Sequence, residues 1–326
     1  MKNRLVTVFG GSGFVGRYIV RRLAESGARV RVAVRDIEKA DFLKTCGDLG
    51  QISFMPTSVT SDADVVRALE GADAVVSSFG ILFERGKRTF DALHVDAPAR
   101  IAKAAKAAGA KRLVHISALG ATPDAATAYS RSKAAGEAAV LDAFPGATIL
   151  RPSVIFGPED SFFNMFAEMG RTFRVMPYFT DVNPHSVDGG GTKFQPVYVG
   201  DVAAAALKAL TEDGHAGKIY DLAGPNVYGM RTLLELINKY SDRDSWICGL
   251  PYFIGEAQAL VLQFLPKPPL TPDQIKMLRT DNVADGTHPG LKDLGIEPST
   301  VESVVPTYLR RFRPYQQQKR LRLDAQ

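Results

Sequence analysis

Val6-Thr-Val-Phe-Gly10-Gly-Ser-Gly13-Phe-Val-Gly16 decides the reading of this chain. A β-branched apolar run from Arg4 to Phe9 leads into the glycines, and a helix-periodic run from Phe14 to Ser26 leads out, so the glycines occupy a strand-to-helix turn. Each answers a different physical demand: Gly10 permits the tight turn, Gly13 lets backbone amides approach a bound group, and Gly16 lets helix and strand pack closely. The first turn of the helix then presents unpaired N–H groups and a positive potential to an anion such as a pyrophosphate.

Working outward, Ala28 to Val34 alternates as a second strand and completes a βαβ unit. The alternation continues with strands at Ile52 to Met55, Ala74 to Ser77, Arg112 to Ser117 and Ala147 to Arg151. Helices are expected at Asp62 to Leu69, Val95 to Ala108 and Thr127 to Phe144. That order predicts an α/β fold, a Rossmann-type doubly wound parallel sheet. After Pro152 the regularity weakens. Asn183 to Gly191 reads as a long exposed loop, and later segments include a helix opening at Asp201, a strand at Ile219 to Leu222 and a helix at Thr232 to Tyr240. Thr271-Pro-Asp-Gln274 is a capping box with proline at the first helical position. The expected division is residues 1–160 as the dinucleotide-binding domain, with segments around 195–225 returning to it, and residues 161–326 as a smaller mixed α/β lobe with a basic tail.

Composition narrows the class. The 326 residues are 45% hydrophobic and 23% charged, as in a globular chain. Cys46 and Cys248 lie far apart without metal-ligand or CxxC spacing, which predicts two reduced thiols. No apolar run is long enough to span a bilayer, and a strand starting at Leu5 leaves no room for a signal peptide. The five histidines are scattered without HxxxH or HExxH, so no metal site is expected. The net charge of +5 concentrates in Tyr308-Leu-Arg-Arg-Phe-Arg-Pro314 through Lys319-Arg-Leu-Arg322, which suits either an acidic partner surface or solvent. Without an aromatic platform it does not indicate nucleic-acid binding. Phe253 to Phe264 is broadly apolar, consistent with a helix buried in the second lobe or with a face against a membrane or partner.

The tip of the second strand, Val34-Arg35-Asp36, selects the ribose in this architecture. A guanidinium at Arg35 can pair bidentately with a 2′-phosphate, which favours NADP(H) over NAD(H); in the other reading Asp36 serves the ribose hydroxyls. Tyr129 and Lys133 stand four residues apart on one helix face, where the ammonium can stabilise a tyrosinate.

The Gly10 to Gly16 loop, Tyr129-Ser-Arg-Ser-Lys133 and Arg151-Pro-Ser-Val-Ile-Phe-Gly157-Pro together resemble the atypical and extended short-chain dehydrogenase/reductase superfamily. Ser78 to Gly86, His115-Ile-Ser-Ala-Leu119, Phe194 to Ala203, Pro268 to Gln274 and the ending Tyr308 to Pro314 look like one branch of it, the NADPH-binding accessory subunits of respiratory complex I and their bacterial relatives. The resemblance implies a tightly held nucleotide in contact with Gly10, Ser12, Gly13, Phe14, Val15, Gly16, Arg35, Ser58, Val59, Ser78, Ser117, Tyr129, Lys133, Pro152 and Val154. It further implies a seat beside the quinone-binding region on the cytoplasmic side of a bacterial inner membrane, or the matrix side in mitochondria, among complex I subunits; the interleaved Arg, Phe and Tyr of the C-terminal tail would suit anionic lipid or an acidic neighbour at that boundary.

Active relatives use a serine, the tyrosine and the lysine for catalysis. Here Ser117 precedes Tyr129 by only 12 residues, about half the usual interval, so Ser117, Tyr129 and Lys133 read as a vestigial set. Pro56-Thr-Ser-Val59 replaces the aspartate often found at the adenine, and Ser58 accepts a weaker hydrogen bond than a carboxylate. His94 is expected to be a packed or capping histidine. The alternative is a soluble NADP-dependent oxidoreductase or epimerase.

Overall fold

The computed structural model describes residues 1–181, 191–266 and 268–314, so all but the last residue of the loop expected at Asn183 to Gly191, and the chain beyond Pro314, lie outside the described residues. The chain forms two compact units.

The first unit comprises Met1–Pro152, Val199–Leu222 and Asp285–Glu297. Its strands are β1 (Leu5–Phe9), β2 (Arg29–Val34), β3 (Ile52–Pro56), β4 (Ala74–Ser77), β5 (Arg112–Ile116), β6 (Thr148–Pro152) and β11 (Ile219–Leu222), interleaved with helices α1 (Phe14–Glu25), α2 (Asp62–Leu69), α3 (Ala97–Ala107), α4 (Ala128–Ala143) and α6 (Val199–Thr211). The strands make one seven-stranded sheet in the order β11-β6-β5-β4-β1-β2-β3, with every neighbouring pair parallel. This is the expected doubly wound Rossmann sheet, with Ile219–Leu222 added as the seventh strand. Near-continuous Val, Ile and Leu in β1, β4 and β5 follow from burial on both faces. Phe9, Val65, Leu69, Val75, Ile101, Leu113 and Ile149 form the core on one side. The strand order reverses between β4 and β1, opening a crevice at the carboxyl ends of the strands.

One departure lies before α3. The helix begins not at Val95 but with a π-helical turn over Asp91–Asp96, whose wide backbone admits the close approach of α4. Gly136 makes that approach possible, because a Cβ there would sit 1.8 Å from the His94 carbonyl oxygen.

The second unit comprises Ser153–Tyr198, Ala223–Ala284 and the segment from Pro298 onward. Three two-stranded pairs replace a sheet: β7 (Ile155–Phe156) with β10 (Val197–Tyr198), β8 (Val175–Phe179) with β13 (Trp246–Leu250), and β9 (Lys193–Phe194) with β12 (Tyr228–Gly229). Around them lie α5 (Phe162–Phe173), α7 (Met230–Ser241), α8 (Tyr252–Leu262), α9 (Pro272–Met277) and α10 (Val301–Leu309). Four of these six strands carry no signal of their own, since two-residue strands have no period and their partners are distant in sequence. The capping box at Thr271 and Gln274 forms, with reciprocal bonds of 3.3 and 2.9 Å.

The arginine-rich segment from Tyr308 to Pro314, whose composition suits either a partner surface or solvent, packs into this unit. Tyr308, Leu309 and Phe312 are buried in the unit's core with Phe156, Phe163, Leu233 and Ile237. The Tyr308 hydroxyl donates to Asp160 Oδ2 at 2.6 Å, and Arg311 donates to the Pro158 carbonyl at 3.0 Å. Burial raises the pKa of both Asp160 and Tyr308, so the short bond holds two groups that resist ionisation.

Helix α8 is not buried. Tyr252, Gly255 and Ala259 face inward, while Phe253, Leu260 and Val261 on the helix and Phe264 just after it are exposed. No described helix is long and apolar enough to cross a membrane.

Candidate nucleotide-binding site

The glycine turn is built as its sequence demands. Gly10 has φ +79°, and a Cβ there would lie 2.9 Å from the Ser78 carbonyl oxygen at the end of β4; Gly13 N–H donates to the Gly10 carbonyl at 2.9 Å. At Gly16 a Cβ would stand 2.1 Å from that same carbonyl oxygen, so helix α1 could not pack with any larger residue. Gly13 is the N-cap of α1 and supplies no side-chain bond, which leaves the first-turn amides without a side-chain cap. Ser12, Phe14 and Val15 carry the same turn, and Phe14 meets Tyr18 edge-on.

The strand order brings the other expected residues to one edge. Ser117, Ser78, Gly10, Arg35 and Ser58 follow the ends of β5, β4, β1, β2 and β3 respectively, a row of about 19 Å at ordinary strand spacing. Ser78 is tied down through its N–H and hydroxyl, both donating to Phe9 O at 3.0 Å. Ser58 shares its hydroxyl with Thr60 at 2.8 Å, and Val59 packs on the core.

Arg35 is exposed, with no hydrogen bond or ion pair among the described residues, whereas Asp36 is paired with Lys39 at 2.7 Å. Lys39 lowers the pKa of Asp36, so the carboxylate is neutralised in place and the Arg35 charge remains available. Arg17 was missed by the sequence reading. Its guanidinium reaches back to Gly13 O at 3.3 Å and stacks over Phe42 at 4.7 Å, adding a cation beside the turn. Its position one helical turn after Gly13 was the available signal.

At the β5 end, Ser117 is buried and its hydroxyl has no hydrogen-bond partner among the described residues. Lys133 is buried and donates to Ile116 O at 3.0 Å, next to Ser117; burial pulls its pKa down to about 8. Tyr129 is packed edge-on against His94, with ring centroids 5.4 Å apart, and desolvation pushes its pKa up to about 12. His94, one turn of α3's preceding π-helix, accepts from Ile81 N–H at Nε2 (3.0 Å) and meets the Ser132 hydroxyl at Nδ1 (2.9 Å). Ser132 gives its own proton to Tyr129 O, so Nδ1 is the protonated nitrogen of a neutral ring. Burial and Lys133 hold the His94 pKa down to about 3. His94 is thus packed, as its sequence context indicated, yet it links the β4 loop to the helix of Tyr129. His115, also buried, meets Ser77 at 3.2 Å and has an unpartnered Nε2.

Two further expected residues part company. Pro152 closes β6 and its carbonyl accepts from Leu119 N–H at 2.9 Å. Val154 belongs to the second unit, where its N–H donates to Asn282 Oδ1 at 3.0 Å and its side chain packs on that unit's core. Among the described residues no cluster of three metal-ligating side chains occurs.

The chain is 34% identical to the mouse mitochondrial NADH dehydrogenase [ubiquinone] 1 alpha subcomplex subunit 9, over 95% of this chain and 81% of the mouse protein. The chain belongs to this family. It is also 30% identical to the 40 kDa mitochondrial NADH-ubiquinone oxidoreductase subunit of Neurospora crassa, over 94% of this chain and 79% of that one. Residues 10–157 match the family described as NAD(P)H-binding, so the glycine turn belongs to a nicotinamide-dinucleotide module. The fold is shared with an NADPH-dependent quinone oxidoreductase from Escherichia coli complexed with NADPH, at TM-score 0.70, 22% identity and coverage of 93% and 99% of the two chains.

Proposed function

We propose that this protein is an accessory subunit of respiratory complex I that holds NADP(H) without turning it over. The supporting observation for the assembly is family membership across nearly the whole chain. The residues present fit the nucleotide: a glycine turn that tolerates no Cβ at Gly10 or Gly16, amides at α1 without a side-chain cap, and a buried Ser117 hydroxyl, unpartnered among the described residues, at the same sheet edge. In this reading the amides after Gly13 hold the pyrophosphate, Arg35 takes the 2′-phosphate, Ser58 and Val59 line the adenine end, and Lys133 holds the nicotinamide ribose.

A bound nicotinamide supplies hydride chemistry. What argues against turnover is Tyr129. Burial raises its pKa to about 12, so it is a poor proton donor near neutral pH. Lys133 itself loses charge above about pH 8, so any help it gives a tyrosinate is confined to lower pH. In the assembled complex we place the subunit peripherally, beside the quinone-binding region at the membrane boundary, on the cytoplasmic face of a bacterial membrane or the matrix face of a mitochondrial one. The exposed apolar side chains of α8 support a seat against an apolar surface.

The second reading is a reductase or epimerase, favoured by the retained Ser117, Tyr129 and Lys133. Native purification separates the two. The accessory subunit co-migrates with complex I and releases intact reduced NADPH on extraction, whereas a free protein that oxidises NADPH with a carbonyl compound establishes the enzyme.

A further inference from the structure

The second unit contains an arginine pocket remote in sequence from the glycine turn. Its cavity, about 320 Å³, is lined by Arg171, Arg174 and Arg243 together with Asp242, Asp244 and Ser245. Ser245 is buried and fixed on two sides: Asn238 brackets its backbone through bonds of 3.2 and 2.8 Å, and its hydroxyl donates to Gly170 O at 3.1 Å. A side chain at Gly170 would collide with that hydroxyl. The three guanidiniums are gathered at a cost. Arg243 is half-buried with its Nε on Phe312 O at 2.7 Å, and burial and then the charges of Arg171 and Arg174 lower its pKa. Glu168 pairs with Arg171 at 2.6 Å, but among the described residues neither Asp242 nor Asp244 forms an ion pair, and the Arg174 guanidinium has no hydrogen bond or ion pair.

The backbone is strained at the same place. Only three described residues other than glycine have positive φ, and two of them, Arg174 at +55° and Asp242 at +52°, line this pocket. Asp is common in that region, whereas a long side chain such as Arg is not, and residues held so cluster at binding sites. The rim adds two aromatic side chains. Phe173 and Trp246 are 71% and 67% exposed, and Trp246 N–H donates to Arg174 O at 2.9 Å. Exposed Trp beside basic groups matches the wet and apolar halves of a lipid interface.

We propose that this pocket binds the phosphate of an anionic phospholipid headgroup, with Phe173 and Trp246 entering the interfacial layer beside it. The site is separate from the nucleotide reading and from membership in a complex, because it is measured on the isolated chain.

Co-sedimentation of the full-length protein with vesicles tests it. Wild type binds phosphatidylglycerol vesicles and not phosphatidylcholine vesicles. Arg174→Asn removes the charge while suiting the left-handed backbone, so the fold is retained and anionic vesicle binding falls about fivefold. Trp246→Ser weakens binding likewise, and Arg29→Gln, an equal charge loss on the first unit, leaves it unchanged. Binding by Arg174→Asn equal to wild type overturns the proposal, as does an equal loss in Arg29→Gln, which would mark bulk charge alone. Titration with inorganic phosphate separates the remaining source: an Arg174-dependent phosphate site in a protein that ignores anionic vesicles overturns the lipid assignment.

Discussion

Arg35 and Lys133 carry opposite lessons about charge at the sheet edge. Arg35 is exposed and unpaired among the described residues, so its energy is realised only on a ligand; Arg35→Ala is expected to weaken NADPH binding about tenfold or more while NADH binding changes little. Equal losses in a titration with both nucleotides contradict the ribose assignment. Lys133 is buried, and its pKa near 8 makes binding depend on pH. A ribose hydroxyl and phosphates favour the ammonium, so the bound state has the higher pKa. Affinity is therefore full below about pH 8 and falls as pH rises through it, by up to about tenfold per pH unit. Lys133→Met should bind weakly with a flat profile between neutral and alkaline pH, checked by nucleotide titration across that range. The position of Arg35 at the tip of β2 was legible because strand tips in this fold have a fixed place, whereas the depression of Lys133 arises only from what packs over it.

The helices meet at His94 and Gly136, where element-scale packing governs. Gly136→Ala would drive a methyl into the His94 carbonyl, and with backbone on the far side little can yield. Overpacking of this kind costs about 1–3 kcal/mol, read as a fall in melting temperature, and loosens the link from the β4 loop to Tyr129. The His94 ring adds an acid window. It stays neutral in the fold to about pH 3 but takes a proton near 6.5 when unfolded, so the unfolded state binds more protons between those values. Stability accordingly falls as pH drops from 6.5 towards 3, and His94→Asn, which keeps a donor and an acceptor, should flatten that decline in urea melts at several pH values. No sequence period announces this arrangement: a π-turn is one residue wider than an α-turn and is specified by α4 pressing on it.

For the whole molecule, the described end of the chain is part of the fold. Truncation after Thr307 removes Tyr308, Leu309 and Phe312 from the second unit's core and the bond to Asp160, a loss expected to reach several kcal/mol and to unfold that unit. Truncation after Pro314 leaves those contacts, so its melting temperature stays near that of the full chain. Thermal denaturation of the two shortened proteins checks the contrast; equal melting would contradict the anchoring role. The basic composition of Tyr308 to Arg322 reads in sequence as one surface feature, because composition counts charges without seeing that Leu309 and Phe312 turn inward between them.

The sequence by itself determined the parallel sheet, the glycine turn and the position of Arg35. Each rests on local rules: a period of two or of 3.6 residues, the left-handed freedom of Gly10, and the spacing from turn to strand tip. Tertiary structure alone decided the rest. The two-residue strands of the second unit, the cavity shared by Arg171, Arg174 and Arg243, the neutral His94 ring and the pKa of Tyr129 all depend on groups far apart in the chain. Desolvation and like-charge repulsion are properties of what surrounds a side chain, and the chain order does not state its surroundings.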